Sequence, residues 1–100
     1  MLENMMNFMD AYNSLEAYKY NSELDINMKI RIRGDIKKDL TKDIVVKRSN
    51  NGKMEKVSIS FLVPSITENN QTIVIKGEGN RRNNERGNLN IKAIKNKYRN

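Results

Sequence analysis

Residues 57–79 read VSISFLVPSITENNQTIVIKGEG. Two runs of apolar and β-branched residues, 57–63 and 72–75, lie on either side of a polar stretch. The alternation within each run is typical of a strand, because successive strand side chains point to opposite faces of a sheet. Pro64 ends the first run, since proline has no N–H for a sheet hydrogen bond. The pattern predicts two antiparallel strands joined by a loop that is too long for a two-residue turn.

Residues 25–33 alternate more regularly than any other part of the chain. Apolar residues occupy every second position, which predicts a half-buried strand with one apolar and one polar face. The residues on the polar face are Asn27, Lys29, Arg31 and Arg33. This face is therefore expected to be strongly basic.

A turn signal joins one further strand to the first one. Residues 41–48 and residues 53–63, which include the first run, lie on either side of Asn51 and Gly52, a pair that favours the positive backbone angles of a tight hairpin, so the two segments are predicted to pair. Residues 88–95 form the last predicted strand. Its inward residues are Leu89, Ile91 and Ala93.

Helical patterns are confined to two places. An apolar stripe at helical spacing predicts an amphipathic helix over residues 1–20. The stripe consists of Leu2, Met5, Met6, Met9 and Tyr12. The helix would cover part of the core, or lie in an apolar groove of its own chain or of a second copy. Residues 35–40 predict one short helical turn, with Ile36 and Leu40 on the same side.

These elements predict a mainly β fold: a small twisted antiparallel β-sandwich or rolled sheet with an N-terminal amphipathic helix and one short helical turn. We expect the helix and its linker in residues 1–22, the β domain in residues 23–97 and a frayed tail in residues 98–100. The whole chain has 100 residues, which is enough for one domain with a modest core.

The composition disfavours most enzyme classes. The chain has no cysteine and no histidine, so a thiolate nucleophile, the commonest general base and the commonest metal ligands are all missing. We expect no catalysis, no metal and no cofactor. No apolar run is long enough to span a bilayer, and the N-terminus does not have the basic segment of a signal peptide, so a cytoplasmic location is expected.

The charge favours acidic partners. The formal net charge is +7, from 19 Lys and Arg against 12 Asp and Glu. Such a balance suits nucleic acid, an anionic membrane or an acidic peptide. Residues 80–86 predict a polar, basic loop. Its RRNNER segment, residues 81–86, could contact phosphates, but it contains no aromatic residue to stack on bases. A basic nucleic-acid-binding β domain is therefore the alternative to the function considered next.

The stretch quoted first resembles the C-terminal substrate-binding domain of the DnaJ-type heat-shock co-chaperone family. In that family an Ile-Pro strand end leads through a glycine-containing turn to Ile-Arg-Leu-x-Gly-x-Gly and then to a Gly-Asp-Leu strand. The matching residues are Val63, Pro64, Ile73, Ile75, Gly77, Glu78, Gly79, Gly87 and Leu89. Ile66 and Asn70 stand where the family usually has glycines, and Asn88 replaces the Asp of Gly-Asp-Leu. The resemblance covers roughly residues 25–97 and is to members without a zinc region.

The resemblance implies a non-catalytic chaperone module that binds unfolded or apolar peptide segments in a shallow groove. The lining residues carried over from the family are Met28, Ile30, Ile44, Val46 and Phe61. It also implies that the acidic C-terminal tail of a DnaK-type chaperone binds near Lys42, with Lys47 and Lys56 as weaker candidates. The residues alone allow the plainer reading that the five apolar side chains are core and the three lysines are ordinary surface residues.

Overall fold

The computed structural model describes residues 18–34 and 37–96, and these residues are mainly β. They form eight strands in two sheets and one 3-10 turn, Ser22–Leu24. The strands are β1 (Lys19–Tyr20), β2 (Ile26–Arg33), β3 (Leu40–Asn50), β4 (Lys53–Val63), β5 (Gln71–Ile75), β6 (Arg81–Arg82), β7 (Glu85–Arg86) and β8 (Leu89–Asn96). The prediction of a mainly β fold is confirmed.

The larger sheet is built around the hairpin of β3 and β4. Its strand order is β1-β7-β6-β3-β4. The two hairpin strands pair antiparallel, with Leu40 opposite Val63 at one end and Asn50 opposite Lys53 at the other. Asn51 and Gly52 turn the chain with φ of 54° and 83°, as the Asn-Gly pair predicts.

The smaller sheet has the order β2-β8-β5. The strands β2 and β8 run parallel and in register, with Ile26 opposite Leu89 and Met28 opposite Ile91. The strand β5 runs antiparallel to β8 on its other side. The last strand of the chain is thus the central strand of this sheet.

The core consists of the inward residues of both sheets. The buried members are Ile32, Val46, Ile59, Phe61, Val63, Leu89, Ile91 and Ala93. Inward-facing residues of β2, β3, β4 and β8 supply this cluster, and the residues that alternate with them face solvent. The three inward residues of β8 have no exposed surface at all, because a central strand is covered by a neighbour on each side.

Gly79 and Gly87 allow backbone segments to approach each other closely where the two sheets meet. The N–H of Gly79 donates to the carbonyl of Gly87 over 2.9 Å, and the N–H of Asn80 donates to the carbonyl of Leu24 over 2.7 Å. A Cβ on Gly87 would overlap the backbone of Leu24. Only glycine therefore fits there, and the contact fixes the start of β2 beside the start of β8.

Three details differ from the sequence predictions. The strands β4 and β5 were predicted to pair with each other, but they lie in different sheets, where β4 pairs with β3 and β5 pairs with β8. The sheets are mixed rather than antiparallel throughout, since β2 runs parallel to β8. Residues 81–86 were predicted as a loop and instead form the small hairpin of β6 and β7.

The helical predictions are only partly covered by the described residues. The predicted N-terminal helix lies outside them up to residue 17, and Lys19–Tyr20 form β1. The single described turn, Ser22–Leu24, stands where the helix was predicted to end. Of the predicted turn at 35–40, residues 35 and 36 lie outside the described range, residues 37–39 are not helical and Leu40 begins β3. The predicted tail, 98–100, also lies outside.

Candidate functional site

The five residues predicted to line a peptide groove come together inside the molecule. Val46 is 3% exposed and Phe61 is 9% exposed, and both belong to the buried cluster. Met28, Ile30 and Ile44 are partly buried and pack against the same cluster. The five therefore lie between the two sheets rather than along an exposed strip, and a groove at these residues stays a prediction.

The three lysines predicted to hold an acidic tail are separated. Lys47 and Lys56 lie directly opposite each other on β3 and β4, and both are exposed. With Met54 and Glu55 they line a shallow depression of about 260 Å³. Lys42 lies on the inward side of β3 opposite Phe61 and is only partly exposed.

The arginines of the RRNNER segment have partners within the molecule. Arg81 lies 3.6 Å from the carboxylate of Glu78 and Arg82 lies 3.0 Å from that of Glu85. Arg86 lies over the ring of Tyr18, 5.0 Å from its centre, in a cation–π contact. The charges of Arg81 and Arg82 are therefore partly balanced in the free protein, which disfavours this segment as a phosphate site.

Among the described residues, the outward side of the smaller sheet forms a basic surface, which we name the basic face. Its residues on β2 are Asn27, Lys29, Arg31 and Arg33, and its residues on β8 and β5 include Asn90, Lys92, Thr72 and Val74. None of the outward positions of these three strands is acidic. The outward side of the hairpin sheet differs, since Asp43 lies there among neutral residues and lysines.

Lys29 and Lys92 lie directly opposite each other on the basic face. Adjacent strands are about 4.8 Å apart, so the two ammonium groups repel each other unless they splay apart or an anion lies between them. Arg31 follows on the same side of β2, about 6.6 Å farther along the strand. Among the described residues, neither lysine has an ion-pair partner.

A shallow depression of about 440 Å³ lies at the centre of the basic face. Its lining residues are Asn27, Met28, Lys29, Thr72, Asn90 and Lys92. The amide nitrogen of Asn90 donates to Oδ1 of Asn27 over 3.0 Å and to Oδ2 of Asp25 over 3.3 Å. Within the described part of the chain this leaves Nδ2 of Asn27 and Oδ1 of Asn90 as an unpaired donor and acceptor.

An acid and a tyrosine mark one end of the basic face. Oδ1 of Asp25 accepts the backbone N–H of Asn88 over 2.6 Å, and Oδ2 accepts the hydroxyl of Tyr20 over 2.8 Å. Desolvation raises the pKa of Asp25, but the hydrogen bonds from Asn88, Tyr20 and Asn90 outweigh it, so the pKa lies below its ordinary value. The hydrogen bond between Tyr20 and Asp25 also raises the pKa of the Tyr20 hydroxyl. Tyr20 is nevertheless exposed, since half of the residue's surface is accessible to solvent.

Sequence reasoning found half of the basic face. The alternation of residues 25–33 identified the basic side of β2, but nothing local to the sequence showed that β8 pairs with β2 in parallel. The signal that could have added Lys92 and Asn90 was the alternation of residues 88–95, which places both on the outward side of the last strand.

Comparisons with protein families, with curated proteins and with solved structures find no match, so the resemblance to the DnaJ-type family stays a prediction. Within the described residues, no helix has the length and apolar character needed to cross a membrane.

Proposed function

We propose that the protein binds nucleic acid through the basic face. The observation that carries this proposal is the placement of Lys29 directly opposite Lys92 on a sheet face whose outward strand positions include no acidic residue. Two like charges in this position destabilise the free sheet, and a phosphate between them turns the repulsion into two attractions. Binding to phosphates is the sequence-independent part of nucleic-acid recognition.

The neighbouring amides favour nucleic acid over other polyanions. Asn27 and Asn90 lie beside the two lysines and offer one free donor and one free acceptor. A base edge can use both groups, whereas the phosphates of a lipid surface or of polyphosphate offer only acceptors. The depression between these side chains is shallow and open, which suits an extended strand better than a compact small molecule.

The test is a titration with labelled oligonucleotides of about 16 nucleotides, single-stranded and duplex, followed by fluorescence anisotropy at about 50 and 200 mM salt. Lys29→Glu and Lys92→Glu should each weaken binding tenfold or more, since each replaces a phosphate contact by a repulsion. Each should also reduce the slope of log affinity against log salt by about one. Lys53→Glu is the matched control, because Lys53 is exposed at the far end of the hairpin.

The control decides what kind of attraction is present. If Lys53→Glu weakens binding as much as Lys29→Glu, the protein attracts polyanions through its net charge alone and the basic face has no special role. If no oligonucleotide binds at low salt, or if vesicles with anionic lipid bind and oligonucleotides do not, the proposal is wrong.

Peptide binding is the second candidate, and a different strand supports it. Among the described residues, β4 is an edge strand of the larger sheet, and its residues 57–63 carry no charge. Leu62 is 52% exposed there, and Ile66 just beyond is 84% exposed. An uncharged edge can accept an extended peptide as an added strand. A titration with an apolar peptide tests this, and Leu62→Lys should abolish binding if the edge is the site.

A further inference from the structure

An exposed aromatic ring lies where the basic face ends. The hydroxyl of Tyr20 is bonded to Asp25, and the same carboxylate oxygen accepts from Asn90, which lines the central depression. Two hydrogen bonds therefore connect the tyrosine to the basic face. The hydrogen bond to Asp25 holds the hydroxyl of Tyr20, while half of the residue's surface is exposed. The ring therefore offers a flat apolar surface in a fixed position.

The charge at this end disfavours a phosphate beside the ring. Asp25 is ionised at neutral pH, since its three hydrogen bonds keep its pKa below the ordinary value. A phosphate placed next to it would be repelled, whereas a neutral base would not. The cations of the basic face lie farther along β2 and β8, at Lys29 and Lys92. The charges thus separate a place for a base from a place for phosphates.

From this arrangement we infer that Tyr20 is a stacking platform for a base, and that the nucleic acid bound on the basic face is single-stranded. The inference rests on the proposed function and specifies its ligand. Bases in a duplex are stacked on each other and cannot offer a face to a protein ring, whereas an unpaired base can. The strand would place its phosphates along Lys29, Arg31 and Lys92 and one base on Tyr20.

The test compares two single-stranded ligands of equal length: a mixed-sequence oligonucleotide and an abasic one with the same number of phosphates. Tyr20→Ala should weaken binding of the oligonucleotide with bases about 5- to 150-fold, the range that the loss of one stacked base produces. It should leave binding of the abasic strand unchanged within about twofold. Tyr20→Phe keeps the ring and should bind like the wild type. Leu62→Ala, which removes an exposed apolar side chain from β4, at the other end of the strand order of the larger sheet, is the control for loss of surface alone.

Three outcomes would overturn the inference. If Tyr20→Phe weakens binding as much as Tyr20→Ala does, the tyrosine only holds Asp25 in place. The second such outcome is an equal effect of Tyr20→Ala on both ligands, and the third is a duplex that binds as tightly as the single strand. In each of these cases binding still depends on Lys29 and Lys92, so the proposed function stands. Loss of all oligonucleotide binding in the wild type would instead remove the proposed function itself.

Discussion

Arg48 shows at the scale of one residue how a charge is accommodated inside this small core. It follows Val46 on the inward side of β3 and is 6% exposed. Its guanidinium bonds to the carboxylates of Glu55 and Glu78, each over 2.6 Å. Desolvation lowers the pKa of Arg48, but these two hydrogen bonds outweigh it and raise the pKa. The cluster links the hairpin to the segment after β5, so it positions parts of the fold that share no strand pairing.

The acid stability of the fold should depend on Glu55. The hydrogen bond from Arg48 holds the pKa of Glu55 below its ordinary value of 4.5, so the native state keeps this carboxylate ionised after the unfolded state has taken up a proton. The resulting stabilisation is complete above pH 4.5 and is lost as the pH falls through the lower native pKa. Urea unfolding, followed by circular dichroism at a series of pH values, measures the free energy of unfolding. Below pH 4.5 this free energy should fall less steeply with decreasing pH for Glu55→Gln than for the wild type.

The control for this prediction is Glu68→Gln, which removes the same charge from an exposed loop position. It should change the pH dependence of the free energy of unfolding less than Glu55→Gln does. If the free energy of unfolding has the same slope against pH below pH 4.5 in the wild type and in Glu55→Gln, the bond to Arg48 contributes no pH-dependent stability.

At the scale of the elements, the alternation of side chains predicted the long strands well. The bounds of β2, β3, β4 and β8 agree with the predicted ones within about two residues, because period-two alternation is a local property of the sequence. The pairing of β4 with β3 was predicted from the Asn-Gly turn and is confirmed, whereas the pairing of β5 with β8 could not be predicted, since no short turn joins these two segments. The two-residue strands β6 and β7 have the sequences RR and ER, which carry no strand pattern. The basic face was half predicted for the same reason, because Lys92 joins Lys29 only through the parallel pairing of β2 with β8.

The position of Lys92 opposite Lys29 predicts that one substitution raises the stability of the protein and weakens its binding to oligonucleotides. Lys92→Glu replaces a repulsive cross-strand pair by an attractive one, so it should raise the free energy of unfolding by a few tenths of a kcal/mol to about 1 kcal/mol. The same substitution should weaken oligonucleotide binding. Urea unfolding at low salt measures the first effect, and added salt should reduce it.

Lys53→Glu is again the matched control, because Lys53 lies opposite the neutral Asn50. It should leave the free energy of unfolding nearly unchanged. A destabilised Lys92→Glu variant would mean that the two lysines do not face each other on adjacent strands, and the basic face would lose its main support.

At the scale of the whole molecule, the two sheets are joined mainly by their shared core. In the described residues no strand of one sheet pairs with a strand of the other, and the backbone contacts between them are concentrated around Leu24, Gly79 and Gly87. The buried residues of β3 and β4 form one cluster with those of β2 and β8. Packing between the sheets, rather than hydrogen bonding, therefore makes the molecule a single cooperative unit.

The substitution Phe61→Ala tests whether the two sheets unfold as one cooperative unit. It is the largest side chain in the buried cluster, and Phe61→Ala should lower the free energy of unfolding by about 3–5 kcal/mol, a large part of the stability of a domain of this size. Because the core is shared, amide hydrogen exchange should accelerate in β8 of the smaller sheet as well as in β4, where the substitution lies. Leu62→Ala, at the next position of the same strand but 52% exposed, should change the exchange of neither strand by much. If β4 loses protection while β8 keeps it, the two sheets unfold separately, and the smaller sheet with its basic face is stable on its own.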